Sequence, residues 1–132
     1  MPENNPIVSV IVLNWNGKRF LKKCIGSLLK QNYSRYEIRL VDNGSTDGSL
    51  EFLQSIFGKP SKLKIVALNK NHGFSKGNNL GIEISQSKFI IILNNDTEVE
   101  ENFVEKMVQT AEISPDIGSV GCKILFNLGI II

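Results

Sequence analysis

The chain has 132 residues, enough for one domain with a real core, because a chain of this length buries roughly two thirds of its unfolded surface. Hydrophobic residues make up 42% and charged residues 21%, the balance of a folded domain, which excludes general disorder. With 15 basic and 13 acidic residues the net charge is +2; no block of like charge marks a nucleic-acid arm, and no run of about twenty apolar residues is present to span a membrane.

In chain order, residues 1–6 are polar with no apolar segment behind them, so no signal peptide is expected. Residues 7–13 are apolar and β-branched, read as a buried strand, and end on Asn14-Trp15-Asn16-Gly17. A helix is predicted over 18–30, with Phe20, Leu21, Cys24, Ile25, Leu28 and Leu29 on one face. Lys18-Arg19 and Lys22-Lys23 then form a solvated basic cluster on the other. Residues 37–41 read as a second strand running into Asp42-Asn43-Gly44-Ser45-Thr46-Asp47-Gly48. A second helix starts near Asp47 or Ser49, buries Leu50, Leu53, Ile56 and Phe57, and stops at Gly58-Lys59-Pro60.

Residues 63–68 read as a third strand. Residues 69–81 are too rich in Gly and Asn for a plain amphipathic helix, although Leu80, Ile82 and Ile84 point to a helix further on; the start of the segment suits close backbone approach. Residues 90–94 form another apolar run, ending on Asn94-Asn95-Asp96-Thr97. A helix over 100–113 buries Phe103, Val104, Met107, Val108 and Ala111, has Glu100 and Glu101 in its first turn to suit the helix dipole, and ends at Ser114-Pro115. Residues 117–126 are expected to be extended. The tail Gly129-Ile130-Ile131-Ile132 wants a neighbouring strand, so the chain reads as truncated, with dimerisation through this last strand as the alternative. Cys24 and Cys122 each sit in an apolar pattern and are read as buried free thiols of a reducing, cytoplasmic compartment.

Alternating strands and helices with short connections predict an α/β fold, a mostly parallel sheet flanked by helices. Three apolar runs end in polar residues at one rim, where open α/β sheets bind ligands. Asp42 and Asn43 can exchange hydrogen bonds with a nucleobase or ribose, or they belong to an ordinary turn and helix cap. Asn94-Asn95-Asp96 offers one carboxylate and two amide oxygens, a set suited to Mg²⁺ or Mn²⁺, with an Asp–Thr turn as the plainer reading. His72, the only histidine, is given no catalytic role. Neither Gly-x-x-x-x-Gly-Lys-Ser/Thr nor Gly-x-Gly-x-x-Gly after the first strand occurs, which excludes a P-loop ATPase and a dinucleotide oxidoreductase.

In order and spacing, Val8 to Gly17, Val41 to Gly48, Asn71 to Gly81 and Leu93 to Thr97 together resemble the family 2 glycosyltransferases, inverting nucleotide-sugar transferases with a Rossmann-like GT-A fold, and most closely their rhamnosyltransferase-like members. The resemblance implies a nucleotide-diphospho-sugar donor lying against Asn14, Trp15 and Asn16, with Asp42 and Asn43 on the base or ribose. It implies a loop from Gly73 through Phe74, Gly77 and Asn78 to Asn79 beside the diphosphate and sugar. Asn94 and Asn95 border the same donor, and Asp96 takes the place of the last aspartate of the family's metal motif, with Asn94 where that motif begins with Asp. The implied acceptor is a saccharide or lipid-linked molecule, met in the cytoplasm or at the membrane periphery. The general base of the family lies C-terminal to the metal motif, beyond the end of this chain. Residues 1–132 are therefore expected to form a single donor-binding domain without an acceptor half, inactive alone, and otherwise a non-catalytic nucleotide-sugar-binding or assembly module.

Overall fold

The computed structural model describes residues 7–125. Eight elements alternate: β1 (Val8–Asn14), α1 (Lys18–Leu29), β2 (Tyr36–Asp42), α2 (Ser49–Phe57), β3 (Leu63–Ala67), α3 (Phe74–Glu83), β4 (Phe89–Asn94) and α4 (Phe103–Ala111). The strands form one parallel sheet in the order β3-β2-β1-β4. The change of direction at β1, with β2 on one side and β4 on the other, opens a crevice at the strands' carboxyl ends.

Register sets the two faces. Val10 pairs with Ile38 and Ile91, and Val12 with Leu40 and Leu93, so these side chains share one face. They pack with Leu21, Cys24, Ile25 and Leu28 of α1, Leu53 of α2, and Val104 and Val108 of α4. Each fully buried Leu or Ile in this cluster stabilises the fold by about 1.5–3 kcal/mol. The opposite face carries Ile11, Leu13 and Val41, and α3 lies on it. This is possible because α3 presents Gly77 and Gly81 to the sheet: a Cβ on Gly81 would stand 2.7 Å from Ile11 Cγ2 and 2.9 Å from Val41 Cγ2, and one on Gly77 2.6 Å from Leu13 Cδ1.

Three expectations are corrected. The segment 73–79 is not a loop: only Gly73, at φ 84°, is non-helical, and α3 starts at Phe74. Its glycines, poor helix formers alone, are the surface that docks, and packing overrides propensity. The helix predicted from residue 100 starts at Phe103, because the carbonyls of Glu100 and Glu101 are held in a turn by Gln31 Nε2 and the Asn32 N–H. Gln31 Oε1 in turn accepts from the Val104 N–H, capping α4 from outside.

The third concerns residues 117–125, which form no strand; Leu125 alone makes a bridge, and Ile124 and Leu125 are exposed. Cys24 is buried as expected, whereas Cys122, in this segment, is exposed. β4 is therefore the sheet's edge among the described residues. Phe126 and the Gly129-to-Ile132 tail lie outside the described residues. No helix among the described residues is long and apolar enough to cross a membrane.

Candidate functional site

A buried amide organises the rim. Asn14 ends β1 with no exposed surface, and its Nδ2 donates to Asp42 Oδ1 at 2.9 Å and to Ser45 Oγ at 3.2 Å. Its Oδ1 accepts from Asn95 Nδ2 at 2.9 Å. One side chain thus ties together the ends of β1, β2 and β4. Asp42, 3% exposed, also accepts from the Ser45 hydroxyl at 2.7 Å and the Ser45 N–H at 3.0 Å.

The two loops beyond β1 and β2 are knitted in the same way. Asn16, at φ 49° the only described non-glycine residue with positive φ, donates its N–H to Ser45 Oγ and accepts from the Thr46 N–H through Oδ1. Asp47 receives the N–H of Lys18 on one oxygen and the N–H and hydroxyl of Ser49 on the other, so one carboxylate caps the first turns of α1 and α2. Slight desolvation pushes its pKa up, but the hydrogen bonds from Ser49 and from the Lys18 and Ser49 backbone outweigh it, and the carboxyl is held below its ordinary range. Gly44, at φ 74°, lets this turn pass against the next loop, since a Cβ there would meet the Lys70 backbone at 2.7 Å.

Asn43 holds the loop before α3. Its Oδ1 accepts from the His72 N–H at 2.9 Å, while Nδ2 donates to Asn71 Oδ1 at 2.9 Å and to the Gly73 carbonyl at 3.1 Å. On the first turn of α3, Asn78 Nδ2 donates to the Phe74 carbonyl at 3.0 Å.

These arrangements frame a cavity of about 300 Å³ at the carboxyl end of the sheet. Its lining comes from the end of β1 and the loop after it (Leu13, Trp15), the loop after β2 (Asn43), the approach to α3 and its start (Asn71, Gly73, Phe74, Asn78), and the end of β4 (Leu93, Asn94, Asn95, Asp96). Trp15 and Phe74 are 55% and 65% exposed, large flat rings at the cavity. Of the residues singled out in the sequence, Trp15, Asn43, Gly73, Phe74, Asn78, Asn94, Asn95 and Asp96 come together here. Asn14 and Asp42 are buried behind the lining and brace it; Asn16 is exposed and ties the loops after β1 and β2 together; Gly77 faces Leu13 in the helix–sheet contact, and Asn79 is exposed and not part of the lining. Sequence reasoning missed Leu13, Asn71 and Leu93 as lining residues. Asn71 carried a signal, an Asn two positions before a Gly at a strand-to-helix turn, whereas nothing distinguished the leucines from core.

The donor set at the end of β4 fits a hard divalent cation that keeps water and phosphate oxygens in its shell. Asp96 is exposed, and its carboxylate makes no hydrogen bond or ion pair with the described residues. Asn95, whose Nδ2 is spent on Asn14, has its amide oxygen left over. Among the described residues no group of three His, Cys, Asp or Glu gathers into an all-protein metal site, so any cation here depends on ligand oxygens. Beneath this end of β4, the Cys24 thiol donates to the Asn94 carbonyl at 3.8 Å; burial, and then the negative charge of Asp96, push its pKa up to about 12.

A parallel sheet with helices on both faces and a crevice at its strands' carboxyl ends is an open α/β architecture, here of the GT-A type found in solved transferases. The same architecture recurs in a mannosyltransferase, PcManGT from Pyrobaculum calidifontis, solved in complex with GDP-Man and Mn²⁺ (TM-score 0.81, 22% identity, 92% of this chain and 36% of that one). It recurs in S. aureus TarS 1-349 in complex with UDP (TM-score 0.71, 24% identity, 80% of this chain and 32% of that one). The profile of glycosyl transferase family 2 matches residues 9–129, and the chain belongs to that family. Glycosyltransferase GlyG of Streptococcus pneumoniae is 31% identical over 106 residues, which are 80% of this chain and 35% of GlyG. The putative teichuronic acid biosynthesis glycosyltransferase TuaG of Bacillus subtilis is 28% identical over 104 residues, 79% of this chain and 41% of TuaG. The chain therefore spans about a third to two fifths of the length of these two relatives.

Proposed function

We propose that this chain binds the nucleotide-diphospho-sugar donor of an inverting glycosyltransferase, with the donor's diphosphate at Asn94, Asn95 and Asp96. The observation that carries the reading is the convergence of Trp15, Asn43, Gly73, Phe74, Asn78 and Asp96 on one cavity at the point where strand order reverses. Trp15 and Phe74 offer faces on which a base can stack, and Asn94 offers an amide to phosphate oxygens. The nucleotide complexes of PcManGT and TarS, on the same architecture, support a nucleotide ligand here.

Sugar transfer expels a nucleoside diphosphate, so charge builds on its phosphates as the glycosidic bond breaks. A divalent cation held by Asp96, with Asn95 beside it, would neutralise that charge. The chain's own residues do the positioning: Asn14 fixes Asn95 and so the approach to Asp96, and Asn43 fixes the 71–73 turn. Proton removal from the acceptor hydroxyl, a rhamnosyl or other hexosyl donor, and a saccharide or lipid-linked acceptor complete the proposal by family likeness.

Asp96→Ala tests it. Because Asp96 is exposed, the variant is expected to fold as the parent does while losing the Mn²⁺-dependent part of nucleotide binding in a calorimetric titration. Undiminished metal-dependent binding would contradict the assignment.

A further inference from the structure

β3 is the sheet's other edge among the described residues, because the strand order runs β3-β2-β1-β4. Its inward bonds are fixed at both ends: the Lys62 carbonyl accepts from the Ile38 N–H at 2.7 Å, and the Leu68 N–H donates to the Asp42 carbonyl at 2.8 Å. A parallel strand turns alternate residues toward its neighbour, so Lys62, Lys64, Val66 and Leu68 bond to β2 while the main chains of Leu63, Ile65 and Ala67 face outward. The Leu63 N–H is spent on the Pro60 carbonyl at 3.0 Å, which leaves the N–H and C=O groups of Ile65 and Ala67 open along the edge.

Beside this edge lies a groove of about 580 Å³, lined by residues of α2, β3 and the turn that joins them. Leu50, Leu63 and Ile65 supply its apolar lining, and Ile65 is 44% exposed. The charged residues lining it are Lys59 and Lys64, both exposed, and neither makes an ion pair, hydrogen bond or ring contact with the described residues. Register separates the two kinds of side chain: Ile65 pairs with Leu40 on the face of the main core, and Lys64 with Arg39 on the face where α3 lies.

We propose that the open edge of β3 docks an extended acidic segment of another protein, which joins the sheet as a further strand. Its apolar residues lie on the side of Leu50, Leu63 and Ile65, and its acidic residues on the side of Lys64, because side chains of an added strand alternate between the faces. Main-chain bonds to Ile65 and Ala67 supply attachment without regard to sequence, and the lysines supply the choice of partner. Charge favours this occupant over a second copy of the chain, which would bring Lys59 and Lys64 against their own counterparts. Lysines on an edge guard it against self-pairing, and the same cations attract a carboxylate-bearing strand. None of the groove's residues lines the cavity at the end of β4, so the edge and the donor cavity are separate surfaces.

The test uses two short synthetic peptides, one alternating Val with Glu and one alternating Val with Lys, titrated into the parent chain and into a variant carrying Lys59→Glu and Lys64→Glu. Amide signals are followed by NMR, and amide hydrogen exchange is measured with and without peptide. The acidic peptide is expected to shift and protect the amides of Ile65 and Ala67 in the parent, and to bind more weakly as salt is raised. The double variant, altered only at exposed residues without partners among those described, should fold as the parent does, bind the acidic peptide roughly tenfold more weakly and prefer the basic one. The parent's response to the two peptides decides the matter if the variant does not fold. A parent that binds both peptides alike, binds neither, or is protected elsewhere than at Ile65 and Ala67 would overturn the proposal. A free parent that is dimeric by light scattering, with those two amides already protected, would overturn it in favour of a second copy.

Discussion

Asn14 has no exposed surface and lines no cavity, yet the ends of β1, β2 and β4 meet through its amide. Replacing it with Ala leaves buried Asp42 and half-buried Asn95 each short of a partner, and the expected cost is about 1–3 kcal/mol, read by denaturant unfolding. Nucleotide binding should weaken too, because Asn95 loses its anchor; unchanged affinity in a destabilised variant would separate bracing from binding. The two thiols give a second check at this scale. Cys122 is exposed and should react with a disulfide reagent at once in the folded chain, whereas Cys24 should react only as fast as the chain opens. The Cys24 thiol is neutral in the fold up to about pH 12 but ionises from about pH 9.0 when unfolded, so its contribution to stability is intact below pH 9 and falls as pH rises through that window. Asp47 works in the opposite sense: its depressed pKa adds stability above the ordinary carboxylate range, lost as acid protonates it.

Among the elements, α3 separates what sequence could disclose from what it could not. The strands were legible because short apolar runs of five to seven residues, three of them ending in Asn or Asp, have few other homes, and α1 because its apolar spacing leaves four basic residues outside. The segment from Gly73 was not, because its helix is held by contact: the residues that lower its propensity, Gly77 and Gly81, are those that let it lie on Ile11, Leu13 and Val41. Gly81→Ala should therefore destabilise the fold by about 1–3 kcal/mol, although Ala is the better helix former, and a stabilised variant would refute this packing. Likewise the turn before α4 depends on Gln31 of a distant element, which no local pattern reveals. Within the site, residues with a polar signature were found, but their division into lining and bracing depended on hydrogen bonds between loops about 30 positions apart, as between Asn16 and Thr46.

At the scale of the molecule, the sheet is closed against helices on one face and only partly covered on the other, where Ile90 and Ile92 stand exposed on β4, the sheet's edge strand among the described residues. The cavity proposed to take the donor is lined by residues of both α3 and the end of β4. The chain, which matches 35% of GlyG, carries the residues that line the proposed nucleotide site described here. Its central claim is consequently open to direct trial. Calorimetric titration of the folded chain with UDP, GDP and dTDP and their sugars, with and without Mn²⁺, should give saturable binding of one nucleotide that strengthens with the metal and fails in Asp96→Ala. Absence of binding to all of them, by a chain shown to be folded, would contradict the account.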